Sequence, residues 1–104
     1  MVKPPKYAQE NAKKALECIR QGSKAMMRTG RLRAAQLSSG RDLGPVSLRK
    51  ISQFKRHIKN AEYSDNPCED DGYVSWTGWG LGYKNGKPDP RFSDWAAEQY
   101  KKVK

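Results

Sequence analysis

Apolar side chains recur along most of this chain at three- and four-residue steps, the period of a helix face packed on one side. From Lys6 to Gln21, Ala8, Ala12, Ala15, Leu16 and Ile19 share one face, and Gly22 follows as a stop. Between Lys24 and Ser38, Met27, Gly30, Ala34 and Leu37 form a second stripe, with Arg28, Arg31 and Arg33 off it. A glycine inside a helix costs about 1 kcal/mol relative to alanine, so Gly30 predicts the close approach of another backbone. The run from Ser38 to Gly44 ends this helix. Pro45 then opens a third, because its missing N–H is not needed at a first helical position. In that third helix, from Pro45 to Asn60, Leu48, Ile51, Phe54 and Ile58 fall within an arc of about 120° at 100° per residue. They predict a core stripe. Arg49, Gln53, Arg56 and Asn60 line up on another face, while Lys55 and Lys59 flank the apolar one with stems placed to cover the core edge.

The segment Ala61 to Asp71 has no apolar period and reads as a loop. Asp70 or Asp71 is placed to cap a short helix from Gly72 to Trp79, in which Tyr73, Trp76 and Trp79 repeat every third residue. Gly78, Gly80 and Gly82 end it, and Asn85-Gly86 marks a tight turn. Asp89-Pro90 is a helix-start signature. Phe92, Trp95, Ala96, Gln99 and Val103 predict a last amphipathic helix, supported by a Glu98 to Lys102 pair. No segment alternates with the period of a strand, and no internal repeat is present. The expected fold is a compact all-α single domain over residues 1–104, with four to five short helices and a Trp-rich core. Residues 1–5 are expected as a flexible N-terminus, 61–71 as an acidic loop and 80–89 as a Gly-rich loop.

A chain of 104 residues, 36% hydrophobic, has enough apolar surface for one modest core but little left to build a deep cleft. No window approaches the roughly 20 apolar residues of a membrane span. The aromatics gather in the second half, where Tyr73, Trp76, Trp79, Phe92 and Trp95 would serve either as a platform for stacking bases or as the core. Three tryptophans at helical spacing in a chain poor in aliphatics predict the core. Tyr83, in the Gly-rich loop beside Lys84 and Lys87, is the candidate for stacking at the surface.

Candidate chemistry is sparse. Cys18 and Cys68 are 50 residues apart without a CxxC, and His57 is the only histidine, which excludes a zinc site of familiar spacing. The start Met1 to Lys6 lacks the apolar run of a signal peptide, so two reduced thiols in a cytosolic protein are predicted. Glu69-Asp70-Asp71 lacks further oxygen ligands at calcium-loop spacing and reads as a helix cap and a solvated loop. His57 has no nucleophile or carboxylate beside it and reads as a surface or capping residue rather than a general base. No triad, metal cluster or phosphate-cradling loop is visible. A binding protein is therefore expected, with no enzyme activity, cofactor, metal or small-molecule substrate.

Charge changes the picture most. The 21 Lys and Arg against 11 Asp and Glu give a formal +10, distributed as +12 over residues 1–60, -5 over 61–73 and +3 over 74–104. No acid occurs between Leu43 and Ala61 to neutralise Arg49 and Arg56. Arg, Gln and Asn together are the side chains that meet phosphates and base edges. Helix two, a turn and helix three also have roughly the lengths of a helix-turn-helix. The candidate nucleic-acid face is Arg28, Arg31, Arg33, Arg49, Gln53, Arg56 and Lys59, for DNA rather than RNA, with an acidic protein surface as the rival partner.

Several runs also share an order seen elsewhere: Asn11-Ala12-Lys13-Lys14-Ala15-Leu16, Gly30 to Leu37, Leu43-Gly44-Pro45-Val46-Ser47-Leu48-Arg49-Lys50-Ile51, Phe54-Lys55-Arg56-His57, Tyr73 to Gly80, and Trp95-Ala96. In this order, over about residues 8 to 97, the chain resembles a largely uncharacterised family of small tailed-phage proteins. That family's motifs run N-A-K-R-G-L, A-R-A-R-x-L, L-S-P-x-T-V-R-R-M, F-x-R-H and A-W-x-x-W-G-G. Gly44 stands where a serine cap is usual, and Ala35 where a second arginine is common. The resemblance implies a phage or prophage origin, sometimes near capsid-maturation genes, and no particular chemistry. The expected function is thus a phage-encoded small basic binding protein of the host cytoplasm or the virion. Its alternative is a virion-associated or host-protein-modulating interaction module that uses the same face.

Overall fold

In a computed structural model, which describes residues 2–24, 28–61 and 66–103, five helices form one body with a small hairpin between the last two. The helices are α1 (Lys6–Arg20), α2 (Arg28–Ser38), α3 (Pro45–Phe54), α4 (Asp71–Gly78) and α5 (Arg91–Val103). Met27, expected on the second stripe, lies outside the described residues. The face of α1 is nearly all small, with Ala8, Ala12 and Ala15 fully buried, so helices can approach it closely. α2 and α4 both pack against α1 and also touch each other, while α3 pairs with α5. Leu37, Leu43, Leu48, Ile51, Trp76, Leu81 and Phe92 fill the space between the two layers. The buried Ser93 Oγ donates to the Ile51 carbonyl at 2.8 Å and ties α5 to α3 without leaving its hydroxyl unsatisfied.

The expected all-α architecture is present, and Trp76 is core, 1% exposed, with its indole N–H donating to the Gly82 carbonyl at 2.8 Å. Asp70 is the cap of α4, its Oδ1 accepting from the Tyr73 N–H at 3.1 Å. Asp89 Oδ1 accepts from the Arg91 N–H at 3.0 Å at the start of α5. Residues at the N-terminus are engaged: Val2 exchanges two backbone hydrogen bonds with Leu43, and Pro4 is buried.

Four expectations are corrected. The third helix is α-helical only to Phe54 and continues as a 3-10 segment over Lys55–Asn60. At 3.0 residues per turn each residue advances about 20° more than in an α-helix, so the phase has slipped by roughly 80° at Ile58. That side chain leaves the core stripe and is exposed.

A hairpin was not foreseen. β1 (Gly82–Lys84) pairs antiparallel with β2 (Lys87–Asp89) in the register Gly82 to Asp89, Tyr83 to Pro88 and Lys84 to Lys87. Its two-residue turn, Asn85 at φ 55° and Gly86 at φ 77°, has the positive angles that match the twist of paired strands. Strands of three residues are too short to reveal a period.

The cysteines are joined. Cys18, on the buried face of α1, and Cys68, in a short 3-10 turn over Pro67–Glu69, form a disulfide across a Cα separation of 4.9 Å. The expectation of two reduced thiols fails because the fold brings α1 and the approach to α4 together, which a separation of 50 residues does not announce. Around the bond, Ala15, Val74, Ile19 and Tyr73 form a satellite core. Finally, the Glu98 partner is Lys101, three residues on, at 3.9 Å, rather than Lys102.

Candidate nucleic-acid interface

The turn between α2 and α3 does not fold back into a helix-turn-helix. α2 lies against α1 and α4, and α3 lies against α5, so the two helices belong to different layers. The cations nonetheless remain at the surface. Arg28, Arg31, Arg49, Gln53, Arg56 and Lys59 are exposed. The described ion pairs are Arg20 with Glu17, Lys55 with Asp94, Arg91 with Asp89 and Lys101 with Glu98. Among the described residues, no carboxylate lies within ion-pair distance of the candidate cations. Arg31 reaches only the Ser23 carbonyl, at 3.5 Å.

The stripe expected on the third helix is divided in two. Arg49 and Gln53 line a shallow cleft of about 240 Å³ that Tyr100 of α5 closes on the far side, with the exposed Val46 at its edge. Arg56 and Asn60 belong to the 3-10 segment, where the tighter winding turns Asn60 toward a second, larger groove of about 400 Å³ between α2, this segment and α4. Thr29 and Gly30 form its α2 wall, Asp71, Ser75 and Trp79 its α4 wall. The backbones meet closely at its base. A Cβ on Gly72 would stand 1.9 Å from the Asn60 carbonyl oxygen, so only glycine fits there.

Rings dominate this groove, and sequence reasoning did not single it out. Phe54 stacks on Trp79, centroids 4.6 Å apart and planes 10° from parallel, and packs against His57 at 4.8 Å. The guanidinium of Arg33 sits 5.2 Å from the centre of the Trp79 ring. Ring contacts therefore run from Arg33 through Trp79 and Phe54 to His57, whose imidazole is exposed and accepts from Arg56 Nε at 3.5 Å. The separate signals were visible as an F-x-x-H run and an Arg-rich stripe, but their meeting is tertiary.

Two candidate residues are placed differently from expectation. Arg33 is half-buried, donates to Gln36 Oε1 at 2.5 Å and has a buried Nε without a hydrogen-bond partner. Burial lowers its pKa. Its guanidinium is engaged by Gln36 and by the Trp79 face. Tyr83 is not a free surface platform, because its ring stacks on Tyr73 at 5.2 Å and 9°. Burial, and then the neighbouring Tyr73 and Asp70, raise its pKa above the ordinary tyrosine value. The reason is the hairpin, which folds the Gly-rich segment back against α4 instead of leaving it in solvent.

No helix among the described residues is long and apolar enough to cross a membrane, and no group of three or more potential metal ligands occurs among them. No family model, curated protein or solved structure matches this chain.

Proposed function

We propose that this is a small basic nucleic-acid-binding protein of phage or prophage origin, which holds the phosphate backbone with cations presented on α2, α3 and the 3-10 segment. One observation carries the reading. Arg28, Arg31, Arg49, Arg56 and Lys59 are exposed and have no carboxylate at ion-pair distance among the described residues, whose ion pairs engage Arg20, Lys55, Arg91 and Lys101, so most of the basic excess is open to a partner. Exposed cations without counter-charges raise the surface potential, and a polyanion that displaces its own counterions is the partner that gains most from them. Mixed Arg and Gln in the α3 cleft add hydrogen-bonding reach beside the charge.

The test is binding of the full chain to single-stranded and duplex DNA and RNA across a salt series. If about four to five phosphates of a duplex are neutralised, log K against log salt has a slope near -4. Arg49→Glu together with Arg56→Glu removes two such contacts and adds repulsion, while Leu48, Ile51 and Phe54 keep the core side of α3 intact. Binding is expected to be lost with the thermal transition preserved. Salt-insensitive or absent binding to every nucleic acid, with retention of an acidic protein on the immobilised chain, would replace this reading with the protein-interaction one.

A further inference from the structure

We propose that the groove between α2, the 3-10 segment and α4 receives one unstacked nucleobase, so that the preferred form of nucleic acid is single-stranded. This rests on the nucleic-acid reading above and specifies which form of the polymer is held and where.

The lining fits a flat ligand that is apolar on its faces and polar at its edge. Phe54, Trp76, Trp79 and His57 give the groove a ring-lined side, and the groove they help line is about 400 Å³. His57 is the exposed end of the Arg33, Trp79, Phe54, His57 series of ring contacts, tilted 48° from Phe54, so it offers an entering base an accessible ring at the groove. Asp71 and Ser75 supply polar groups on the α4 side. A carboxylate accepts from the exocyclic amine of cytosine, which favours a base carrying such an amine.

Charge decides between a base and an apolar peptide side chain. Arg28 and Arg31 bracket the lining residues Thr29 and Gly30, and Arg56 and Lys59 alternate with the lining residues His57 and Asn60. The lining itself holds one charged side chain, Asp71, but these exposed cations are sequence neighbours of lining residues. Arg56 reaches the His57 ring at 3.5 Å, and none of the four is ion-paired among the described residues. A ring entering the groove while attached to phosphates on either side uses both features at once. A base inside a duplex is stacked above and below and cannot enter, whereas a single strand can splay one out.

The experiment compares binding of the full chain to two dodecamers of equal phosphate number. One is abasic throughout, and the other is identical except for a single central cytosine. The cytosine strand is expected to bind about tenfold more tightly, within the range for one stacked base, and the ratio should hold at low and high salt because the phosphates are the same. His57→Ala, at an exposed side chain, and Ser75→Phe, which fills the groove, should each bring cytosine-strand binding down to the abasic binding of the same variant. His57→Ala retains the test if Ser75→Phe does not fold. Equal binding of the two strands by the wild type overturns the groove assignment while leaving the nucleic-acid reading in place. A tenfold ratio that persists in His57→Ala and in folded Ser75→Phe overturns it too, by placing the base elsewhere. Failure to bind either strand or a duplex overturns both.

Discussion

Reduction of the Cys18–Cys68 bond should cost this domain a large part of its stability. The bond closes a loop over a sequence separation of 50 residues, and for a loop of that length the chain-entropy relation gives about 4 kcal/mol of stabilisation through restriction of the unfolded chain. A domain of this size has a total stability on the order of 5–15 kcal/mol. The bond also anchors the approach to α4, a helix of eight residues that is too short to hold its shape without tertiary contacts.

Urea titrations followed by tryptophan fluorescence, with and without a phosphine reductant, measure the effect. The expected loss is about 3–4 kcal/mol, with a larger m-value in the reduced protein because its unfolded state is less compact. The corresponding fall in melting temperature is roughly 15–30 °C. Two titratable thiols in the unreduced, denatured protein would refute the pairing itself. A stability change below about 1 kcal/mol, with the bond verified by mass, would refute the idea that loop closure is what the bond contributes.

Trp76→Ala should destabilise by about 3–5 kcal/mol in the same urea assay, because it empties a core site and leaves the Gly82 carbonyl without its indole donor. Gly80→Ala should cost more than Gly86→Ala although both sit at positive φ, since a Cβ at Gly80 meets the Phe92 ring at 2.5 Å and one at Gly86 meets nothing within 4 Å; paired thermal melts decide the order. Burial raises the pKa of Tyr7, with Arg91 opposing and Asp89 reinforcing, and that of Tyr83 as well. The folded state thus binds protons more tightly than the unfolded state, so their contribution is complete below the ordinary tyrosine value of 10.0 and is lost as pH rises above it. Ultraviolet titration of phenolate should find these two ionising late, with stability falling over the same interval.

Wherever local pattern coincides with the buried face, the fold is legible in the sequence. The alanines of α1 and the Phe92 to Ala96 spacing of α5 mark sides that are buried, and Asp70 and Pro45 mark helix starts that exist. What escapes is set by distant contacts. Nothing in Lys55 to Asn60 signals a 3-10 winding, yet that winding places the Asn60 carbonyl over Gly72 and frees Ile58 from the core. The partner of Cys18 depends on where residues 66–70 cross α1. The basic stripe was visible as composition, but its division between the α3 cleft and the larger groove follows from which helix each segment packs against.

The short helix α4 joins these features. Its first turn is fixed by the Asp70 cap, by the neighbouring disulfide and by the Gly72 contact with the 3-10 segment. Its end is fixed by Trp79 on Phe54, followed immediately by Gly80 under the Phe92 ring. Between these ends, Val74 and Trp76 are buried, while Ser75, Trp79 and the outer edge of Trp76 line the groove. Residues one and three apart on a helix cannot be displaced independently, so whatever locks the core side of α4 also sets the spacing of the rings on its groove side. An aromatic-rich second half whose spacing predicts the core therefore also frames a surface groove. Trp76 fills the interior, and its position holds Trp79 where Phe54 and Arg33 can meet it.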